Sequence, residues 1–456
     1  MSDTAPVPPL SADTLLHFLL GLVLLLAISR LLGALAERVG LPAVVGELLT
    51  GVLLGPSLLG WLAPDLANWL LPAEPEQMHL LDGVGQIGLL LLVALAGAHL
   101  DLRFLSRQRR VAITVSLTGL LIPLVFGVAL GFGLTNALAA TGAGSSPVAG
   151  SVFPLFLGVA MCVTAIPVVA KTLSDMNLLH RDLSQLILAA AMVDDAVAWL
   201  LLSVVAAAAT TGVATGTVAL SVVSMVGFVL VAAVVGRPVV QWATARAIRS
   251  EAPGPTITLA LIIVFSAAAI THALNLEAVL GAFIAGLLLS TTGPEVQRRL
   301  GPLRIVVLSV LAPVFLATAG LRMDLTALTR PDVLLAALAV LSVAIIGKFA
   351  GAYLGARLSS LSRWEGIALG TGMNARGVVE VIVAIVGLRL GVLDTAGYTV
   401  IVVVAIVTSL MAPPLLRCAM GRVEQSEEEL RRAVTHSTWS GTSPVRPPDS
   451  GPPPAP

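Results

Sequence analysis

Two adjacent carboxylates, Asp194 and Asp195, lie near the middle of an apolar segment that is long enough to cross a bilayer. A charge at the centre of a membrane helix costs at least ~2.5–3.5 kcal/mol, so ionisable residues there indicate function. Neighbouring helix residues point about 100° apart, so the two side chains cannot serve one partner on one side. We expect one to face a cation path and the other a neighbouring helix. The alternative places both in water at a helix end.

Lys348 is the only lysine at mid-membrane depth in the sequence. A lone ammonium in lipid must pair with a carboxylate or lose its proton. The available partners are Asp194, Asp195 and Glu380. The alternative is a lysine whose stem lies in lipid while its ammonium reaches the cytoplasmic surface.

Two of the predicted membrane segments contain residues that interrupt a helix. In the fifth, Thr164 is followed by Pro167, which removes one backbone donor and displaces a carbonyl. In the twelfth, the run Gly370–Gly377 is too rich in glycine for a tight helix, and it contains Arg376. Paired breaks are the best sequence indication of a transport site, although a simple proline kink is the alternative for the fifth. We expect freed carbonyls and the Thr164 hydroxyl to ligate a small cation, and Arg376 to balance the helix ends.

The composition is that of an integral membrane protein. Of 456 residues, 57% are hydrophobic and only 11% are charged, and the mean hydropathy is +0.97. A soluble domain needs more charged residues to cover its surface. Gly83–Gly88 fits a dinucleotide-binding pattern but lies in an apolar segment, and the sequence contains no phosphate-binding loop or zinc-ligand spacing. We therefore predict no cofactor, no enzymatic activity and no ATP-driven pump, and the zero formal net charge gives no indication of nucleic acid.

Thirteen apolar segments follow one another along the chain, so we predict an all-α polytopic membrane protein. They cover residues 15–35, 43–60, 80–98, 111–138, 152–173, 183–209, 213–235, 256–274, 277–290, 303–320, 333–355, 365–388 and 394–416. Alternate loops carry eighteen Lys and Arg residues against three in the others. This bias places the N-terminus, residues 1–14, outside and the C-terminus in the cytoplasm, at the inner (plasma) membrane. The tail, residues 421–456, is predicted to be disordered.

Three short motifs occur twice, in the same order, within this transmembrane region of residues 15–420. The pairs are Ala96-Gly97-x-x-x-Asp101 with Ala319-Gly320-x-x-x-Asp324, Glu47-x-x-x-Gly51 with Glu277-x-x-x-Gly281, and Thr164–Val169 with Asn374–Val379. The predicted topology sends the members of each pair through the membrane in opposite directions. This pattern favours inverted repeats, roughly 43–209 and 277–416, as in secondary transporters. For Glu47 and Glu277 we expect packing or capping roles.

At these positions the chain resembles the bacterial monovalent cation:proton antiporters of the sodium/hydrogen exchanger superfamily. The group includes electrogenic sodium/proton antiporters and glutathione-gated potassium-efflux transporters. The resemblance covers roughly residues 10–420. It rests on the motifs Gly46-Glu47-x-x-x-Gly51-x-x-x-Gly55-Pro56, Thr164-Ala-Ile-Pro167, Asp194-Asp195, Lys348, and Gly372-Met-Asn-Ala-Arg-Gly377 with Glu380.

The resemblance implies a fold and a set of roles. The fold has a dimerisation domain, a core domain in which two interrupted helices cross, and a homodimeric assembly. Asp195 matches the cation- and proton-binding aspartate, and Asp194 the residue that pairs with Lys348. Thr164 and Asn374 match positions at the helix crossing. An Asp-Asp pair resembles the electrogenic members, which move two protons for each cation.

The expected activity is thus exchange of a monovalent cation for protons. Na⁺ is the preferred cation, with K⁺ and Li⁺ as alternatives, since Thr, Asp and carbonyl oxygens suit all three. A cation channel or uniporter, or a potassium-efflux transporter, on the same scaffold is the competing function. The potassium-efflux members typically carry a cytosolic nucleotide-binding domain after the membrane part, whereas this sequence continues only as a short tail. A membrane sensor and an intramembrane aspartyl hydrolase are the further alternatives; acid dyads normally come from two elements.

Overall fold

The structure of the protein is a computed structural model. It describes residues 10–70, 75–98, 109–139, 149–165, 181–211, 215–250, 252–274 and 276–425, and the single residues 169, 173, 176, 178 and 429. Within these ranges the regular structure is helical, apart from one isolated β-bridge between Ala139 and Leu393.

The described part of the first half of the chain contains eight α-helices. They are α1 (Ala12–Arg38), α2 (Ala43–Leu54), α3 (Leu59–Leu62), α4 (Pro64–Leu70), α5 (Pro75–Ala98), α6 (Arg109–Leu138), α7 (Ala149–Cys162) and α8 (Asp182–Thr211).

The described part of the second half contains eleven more, two pairs of which are joined by a π-helical turn. They are α9 (Thr215–Val231), α10 (Arg237–Ala247), α11 (Gly254–Ala273), α12 (Ala278–Ser290), α13 (Pro294–Arg299), α14 (Gly301–Val306), α15 (Ala312–Leu321), α16 (Pro331–Leu358), α17 (Arg363–Met373), α18 (Val378–Arg389) and α19 (Thr395–Met420). The π turns are Ala232–Gly236, between α9 and α10, and Val307–Leu311, between α14 and α15.

The predicted membrane segments correspond closely to these helices. In the described part of the chain, ten helical stretches are long and apolar enough to cross a membrane, and α17 with α18 forms an eleventh as a bent pair. The shorter apolar helices α7 and α12 account for the other two of the thirteen predicted segments. The count of thirteen is therefore approximate, because two segments are too short to span alone. The chain is a multi-pass membrane protein.

The helices pack in two groups. The first, called the site bundle below, consists of α6, α7, α8, α16, α17, α18 and α19. The second, called the flanking bundle, consists of α1, α2, α5, α11, α12 and α15. Helices α9 and α10 lead from the first to the second. Packing between the groups is sparser than packing within them, so the functional side chains are positioned mainly by neighbours in the site bundle.

Glycines allow close helix crossings inside the flanking bundle. A Cβ atom on Gly51 of α2 would lie 1.9 Å from the carbonyl oxygen of Ala317 on α15, and one on Gly286 of α12 would lie 2.0 Å from that of Ala94 on α5. Small residues at such crossings let helix backbones touch in membranes. The predicted repeat relates α2 to α12 and α5 to α15, so the α2–α15 crossing corresponds to the α12–α5 crossing. This reciprocity supports the inverted repeat, which stays a prediction.

The beginning of the predicted disordered tail is ordered where the structure describes it. Residues 421–425 follow α19, and Glu429 is only 4% exposed. The buried Arg181, just before α8, pairs with Glu429, the Nε and Oε2 atoms being 3.2 Å apart. The rest of residues 421–456 lies outside the described residues, so its disorder stays a prediction.

Candidate functional site

Two interrupted helices meet inside the site bundle. Helix α7 ends at Cys162. Helix α17 ends at Met373, and four residues, 374–377, separate it from α18, with a bend of 44° between the two helices. The amide of Ala165 donates a hydrogen bond of 3.0 Å to the carbonyl oxygen of Ala375. The Thr164 hydroxyl lies 3.0 Å from the carbonyl oxygen of Met373. The non-helical stretch after α7 therefore touches the end of α17 and the break that follows it, as the two paired interruptions in the sequence predict.

A buried arginine compensates the open end of α7. The Arg376 guanidinium, fully buried, donates to the carbonyl oxygens of Ala160 at 3.0 Å and Met161 at 2.5 Å. It also reaches the carbonyl oxygen of Ala344 on α16 at 3.2 Å and Glu380 Oε1 at 2.7 Å. The last carbonyls of a helix lack intrahelical partners and carry partial negative charge. Arg376 therefore compensates the C-terminal end of α7, while Glu380 neutralises Arg376; its expected role at a second helix end stays a prediction.

Asp194 is held by three side chains from three different helices or their ends. Its Oδ1 atom accepts a hydrogen bond of 2.5 Å from Ser116 on α6. Its Oδ2 atom accepts one from Lys348 on α16 and lies 2.9 Å from the Thr164 hydroxyl. Asp194, Lys348 and Thr164 are all fully buried. The Lys348 ammonium also donates to the carbonyl oxygen of Cys162, the last residue of α7. The aspartate is thus fixed between α6, α7 and α16.

Asp195 is in a different environment. It is 1% exposed, and its Oδ1 atom has no hydrogen-bond partner among the residues that the structure describes. The same holds, within those ranges, for Oδ1 of Asn374, which is 5% exposed in the break of the second interrupted helix. Buried oxygens normally find a donor or a cation, because desolvation without a partner is costly. Asp195 and Asn374 therefore supply oxygens that a small cation can use.

The structure brings most of the predicted site residues together. Lys348 pairs with Asp194, which decides among the three candidate carboxylates, and the interpretation of Lys348 as a surface-reaching lysine is wrong because the side chain is fully buried. The helix-end alternative for the two aspartates is wrong for the same reason. Glu380 pairs with Arg376, four residues earlier, rather than with Lys348.

The other predicted site residues divide into those that the structure places and one that it does not. The Thr164 hydroxyl contacts Asp194 and the break of the second helix. Gly377 immediately precedes α18, at the end of that break. Pro167 lies outside the described residues, so its part in the interruption stays a prediction.

Sequence reasoning missed Ser116 and Ser409. Ser116 binds Asp194, and Ser409 on α19 donates to the carbonyl oxygen of Arg376. Both are small hydroxyl residues in apolar segments. Such residues occur in many membrane helices and usually bond to their own backbone, as Thr408 does here with Val404. Nothing in their sequence context separates these two from the rest.

Discontinuous helices that cross beside a buried, partly compensated carboxylate pair define the class of secondary active ion transporters. The family model described as sodium/hydrogen exchanger, transmembrane, matches residues 23–419. The chain belongs to this family, the monovalent cation:proton antiporters. It is therefore a transporter of the antiport class, and the channel alternative is not favoured.

Individual proteins show the same likeness over the full membrane region. The chain is 31% identical to the Na(+)/H(+) antiporter NhaS4 of Synechocystis, over 89% of this chain and 98% of that protein. It is 28% identical to the Na(+)/H(+)-K(+) antiporter GerN of Bacillus cereus, over 90% and 98% of the two chains. Among solved structures, it is similar in fold to the sodium proton antiporter MjNhaP1 of Methanocaldococcus jannaschii, with a TM-score of 0.67, 17% identity, and coverage of 90% of this chain and 100% of that one.

Proposed function

We propose that this chain exchanges Na⁺ for protons electrogenically, with Asp195 as the carrier of both ions. The observation that carries the proposal is the asymmetry of the two aspartates. Asp194 is engaged by Ser116, Thr164 and Lys348, whereas Asp195 is equally buried with an oxygen that lacks a partner in the described ranges. Sodium is preferred because NhaS4 is named for Na⁺ exchange, and K⁺ is the first alternative because the name of GerN includes both Na⁺ and K⁺.

Exchange follows from the cost of a bare carboxylate in a low-dielectric interior. Asp195 crosses the barrier either holding a partly dehydrated cation or protonated, since the uncompensated anion is strongly disfavoured there. The ion that neutralises it on one side is released on the other. The two ions therefore compete for one carboxylate, and transport of either requires return of the other.

The Asp194–Lys348 pair supplies the second proton. When the cation binds Asp195, its charge disfavours the nearby ammonium and weakens the hold of Lys348 on Asp194. The proton released at that step travels with the one displaced from Asp195, so two protons move for each cation. Thr164 links cation binding at Asp195 to the release of Asp194 by Lys348, because its hydroxyl reaches both Asp194 and the end of α17. Whether the second proton belongs to Asp194 or to Lys348 is a property of the coupled pair.

The proposal includes an assembly and an orientation. We place the protein in the inner (plasma) membrane as a homodimer, with the N-terminus outside and the C-terminus in the cytoplasm. The charge bias of the loops supports the orientation. Alternating access then consists of movement of the site bundle against the flanking bundle, for which the sparse packing between them leaves freedom.

The test measures proton movement in inside-out vesicles after addition of Na⁺, K⁺ or Li⁺ in turn. We expect Na⁺ to collapse a preformed pH gradient with wild type, and Asp195→Asn to abolish the response to every cation. Asp332→Asn is the matched control, because it removes a carboxylate that pairs with Arg330 at the exposed start of α16. Exchange that survives in Asp195→Asn would overturn the assignment of the carrier. A cation leak without proton movement would favour a channel.

A further inference from the structure

A second group of polar residues lies in the flanking bundle, between α1 and α2. Ser29, Gly33 and Glu37 recur at four-residue spacing on α1 and form one face of that helix. This face meets Ala43 and Glu47 of α2. A Cβ atom on Gly33 would lie 3.8 Å from Cγ of Glu47, so no side chain separates the glutamate from α1. The glycine therefore lets Glu47 lie directly against the other helix.

These residues line a small, partly enclosed cavity. Its third wall comes from the π turn before α15 and from the start of α15. The polar residues that line it are Ser29, Arg30, Glu37, Glu47 and Ser309. The space admits about one water-sized occupant, which is also the size of a bare alkali cation. All the described residues that line it come from the flanking bundle or from the π turn that leads into it.

Ser29 indicates that the cavity is a binding site rather than a packing gap. Its side chain is fully buried, and its Oγ atom makes no hydrogen bond within the described part of the chain. Serine in a membrane helix normally bonds to the carbonyl four residues earlier, as Thr50 of α2 does with Gly46. A buried hydroxyl that does not do so calls for a partner from outside the protein.

The charge and the donor atoms select the class of ligand. Carboxylates of Glu47 and Glu37 and hydroxyls of Ser29 and Ser309 are hard oxygen donors, which suit alkali cations. Glu47 and Glu37 bring two carboxylates to the cavity, and Arg30 brings one guanidinium. The π turn and α15 add no ionisable group to the lining. No cluster of three or more metal-binding side chains, as a divalent ion prefers, occurs among the residues described.

One charged group of the site bundle lies near this place without lining the cavity. Arg417, at the end of α19, has its Nη2 atom 3.6 Å from where a Cβ atom on Gly40 would be, in the turn between α1 and α2. The turn is thus the point at which the α1–α2 pair meets the bundle that carries the two aspartates. A ligand that fixes α1 against α2 also fixes the surface against which α19 rests.

We propose that the cavity between Glu47 and Ser29 is a second monovalent-cation site, bound but not transported. The cation holds α1, α2 and the start of α15 together. On the proposed orientation it lies in the cytoplasmic half of the membrane, so its occupancy follows the cytoplasmic cation concentration. The site is separate from Asp195, and the proposal stands whether or not Asp195 is the carrier.

The test is the thermal unfolding of the purified full-length protein in detergent. NaCl, KCl or LiCl is compared with choline chloride at the same ionic strength, in an Asp195→Asn background that removes the carrier carboxylate. We expect Na⁺ to raise the Tm of Asp195→Asn by about 2–4 °C at saturating concentration. Addition of Glu47→Gln should remove that increase, and addition of Ser29→Ala should reduce it.

Two variants keep the result interpretable. Ser29→Ala removes a hydroxyl without a hydrogen bond in the described structure, so it should fold even where Glu47→Gln does not. Thr50→Val removes a buried hydroxyl of α2 that bonds to Gly46, and it should leave the Na⁺-dependent increase intact. The proposal is overturned if Asp195→Asn shows no cation-dependent increase, or if Ser29→Ala and Glu47→Gln both retain it in full. Failure of the carrier assignment is a separate outcome, since it is measured by exchange in Asp195→Asn alone.

Discussion

The Lys348 ammonium joins Asp194 of α8 to the carbonyl oxygen of Cys162, where α7 ends. One cationic group thus compensates both a carboxylate and a helix terminus, and all three lie out of contact with solvent. Removing one partner from such a buried pair leaves an uncompensated charge, which is far more costly than removing both. This coupling ties the protonation of Asp194 to the geometry of the broken helix, and it makes Lys348 the residue whose substitution is most informative about mechanism.

Lys348→Gln tests how charge movement is coupled to exchange. We expect the variant to retain cation-dependent proton movement but to generate no current, because glutamine can still donate to Asp194 and cannot release a proton. The measurement compares pH-gradient collapse with membrane-potential dyes in proteoliposomes. Wild-type current with Lys348→Gln would show that the second proton is carried elsewhere.

Ser116→Ala tests whether the third donor to Asp194 matters for transport. A hydrogen bond to a charged group is worth about 1.5–3 kcal/mol, so we expect the half-saturating cation concentration to change by about tenfold. Thr135→Ala is the control on the same helix, because its hydroxyl donates to Gly131 of its own backbone. A purely structural serine would lower Tm without changing the cation dependence, and that result would contradict a positioning role.

Arg376→Ala tests the compensation of the helix ends. It leaves Glu380 without its partner and removes the donor to the carbonyls of Ala160 and Met161. We expect a loss of about 3–5 kcal/mol of stability, measured as a lower Tm or a lower monodisperse yield in detergent. Arg376→Lys should recover little, because an ammonium lacks the fork that reaches several acceptors. The double variant Arg376→Met with Glu380→Gln should recover part of the loss, and wild-type stability in Arg376→Ala would refute the account.

Glu429→Gln tests the attachment of the tail to the start of α8. Glu429 Oε1 accepts the amide of Asp182 at 2.6 Å, and Arg181 donates to the carbonyl oxygens of Val423 and Glu424 at 3.0 and 2.9 Å. We expect Glu429→Gln, and a chain truncated after residue 425, to lose about 1–3 kcal/mol of stability. Truncation after residue 430 is the control and should leave Tm unchanged. Equal effects of the two truncations would contradict a specific role for Glu429.

Much of the architecture followed from composition and periodicity alone. Apolar segments of bilayer length predicted the positions of most helices to within a few residues, because lipid requires every spanning segment to bond its own backbone. In the segment predicted as 152–173, α7 ends already at Cys162, and the one predicted as 213–235 continues as a helix to Ala247. Charged residues at mid-depth are rare because a charge in lipid is costly, and this rarity singled out Asp194, Asp195 and Lys348. Glycine indicated the interruption after α17, since it weakens a helix locally, whereas the part of Pro167 in the other interruption stays a prediction.

What the sequence left open depended on which side chains share a space. Three carboxylates were available to Lys348, and only the tertiary structure decided for Asp194, whereas Glu380 pairs with Arg376, four residues earlier in the chain. The roles of Ser116 and Ser29 could not be predicted from the sequence either, because a serine in an apolar helix has no distinguishing feature until its neighbours in the structure are known. Local sequence determines which segments are helical, which of them span the membrane and which carry charge at mid-depth, because the bilayer restricts all three. Which side chains pair between segments far apart in the chain is decided by tertiary packing. Such a pair requires contact within a few ångström, and the spacing of residues in the sequence does not reveal that distance.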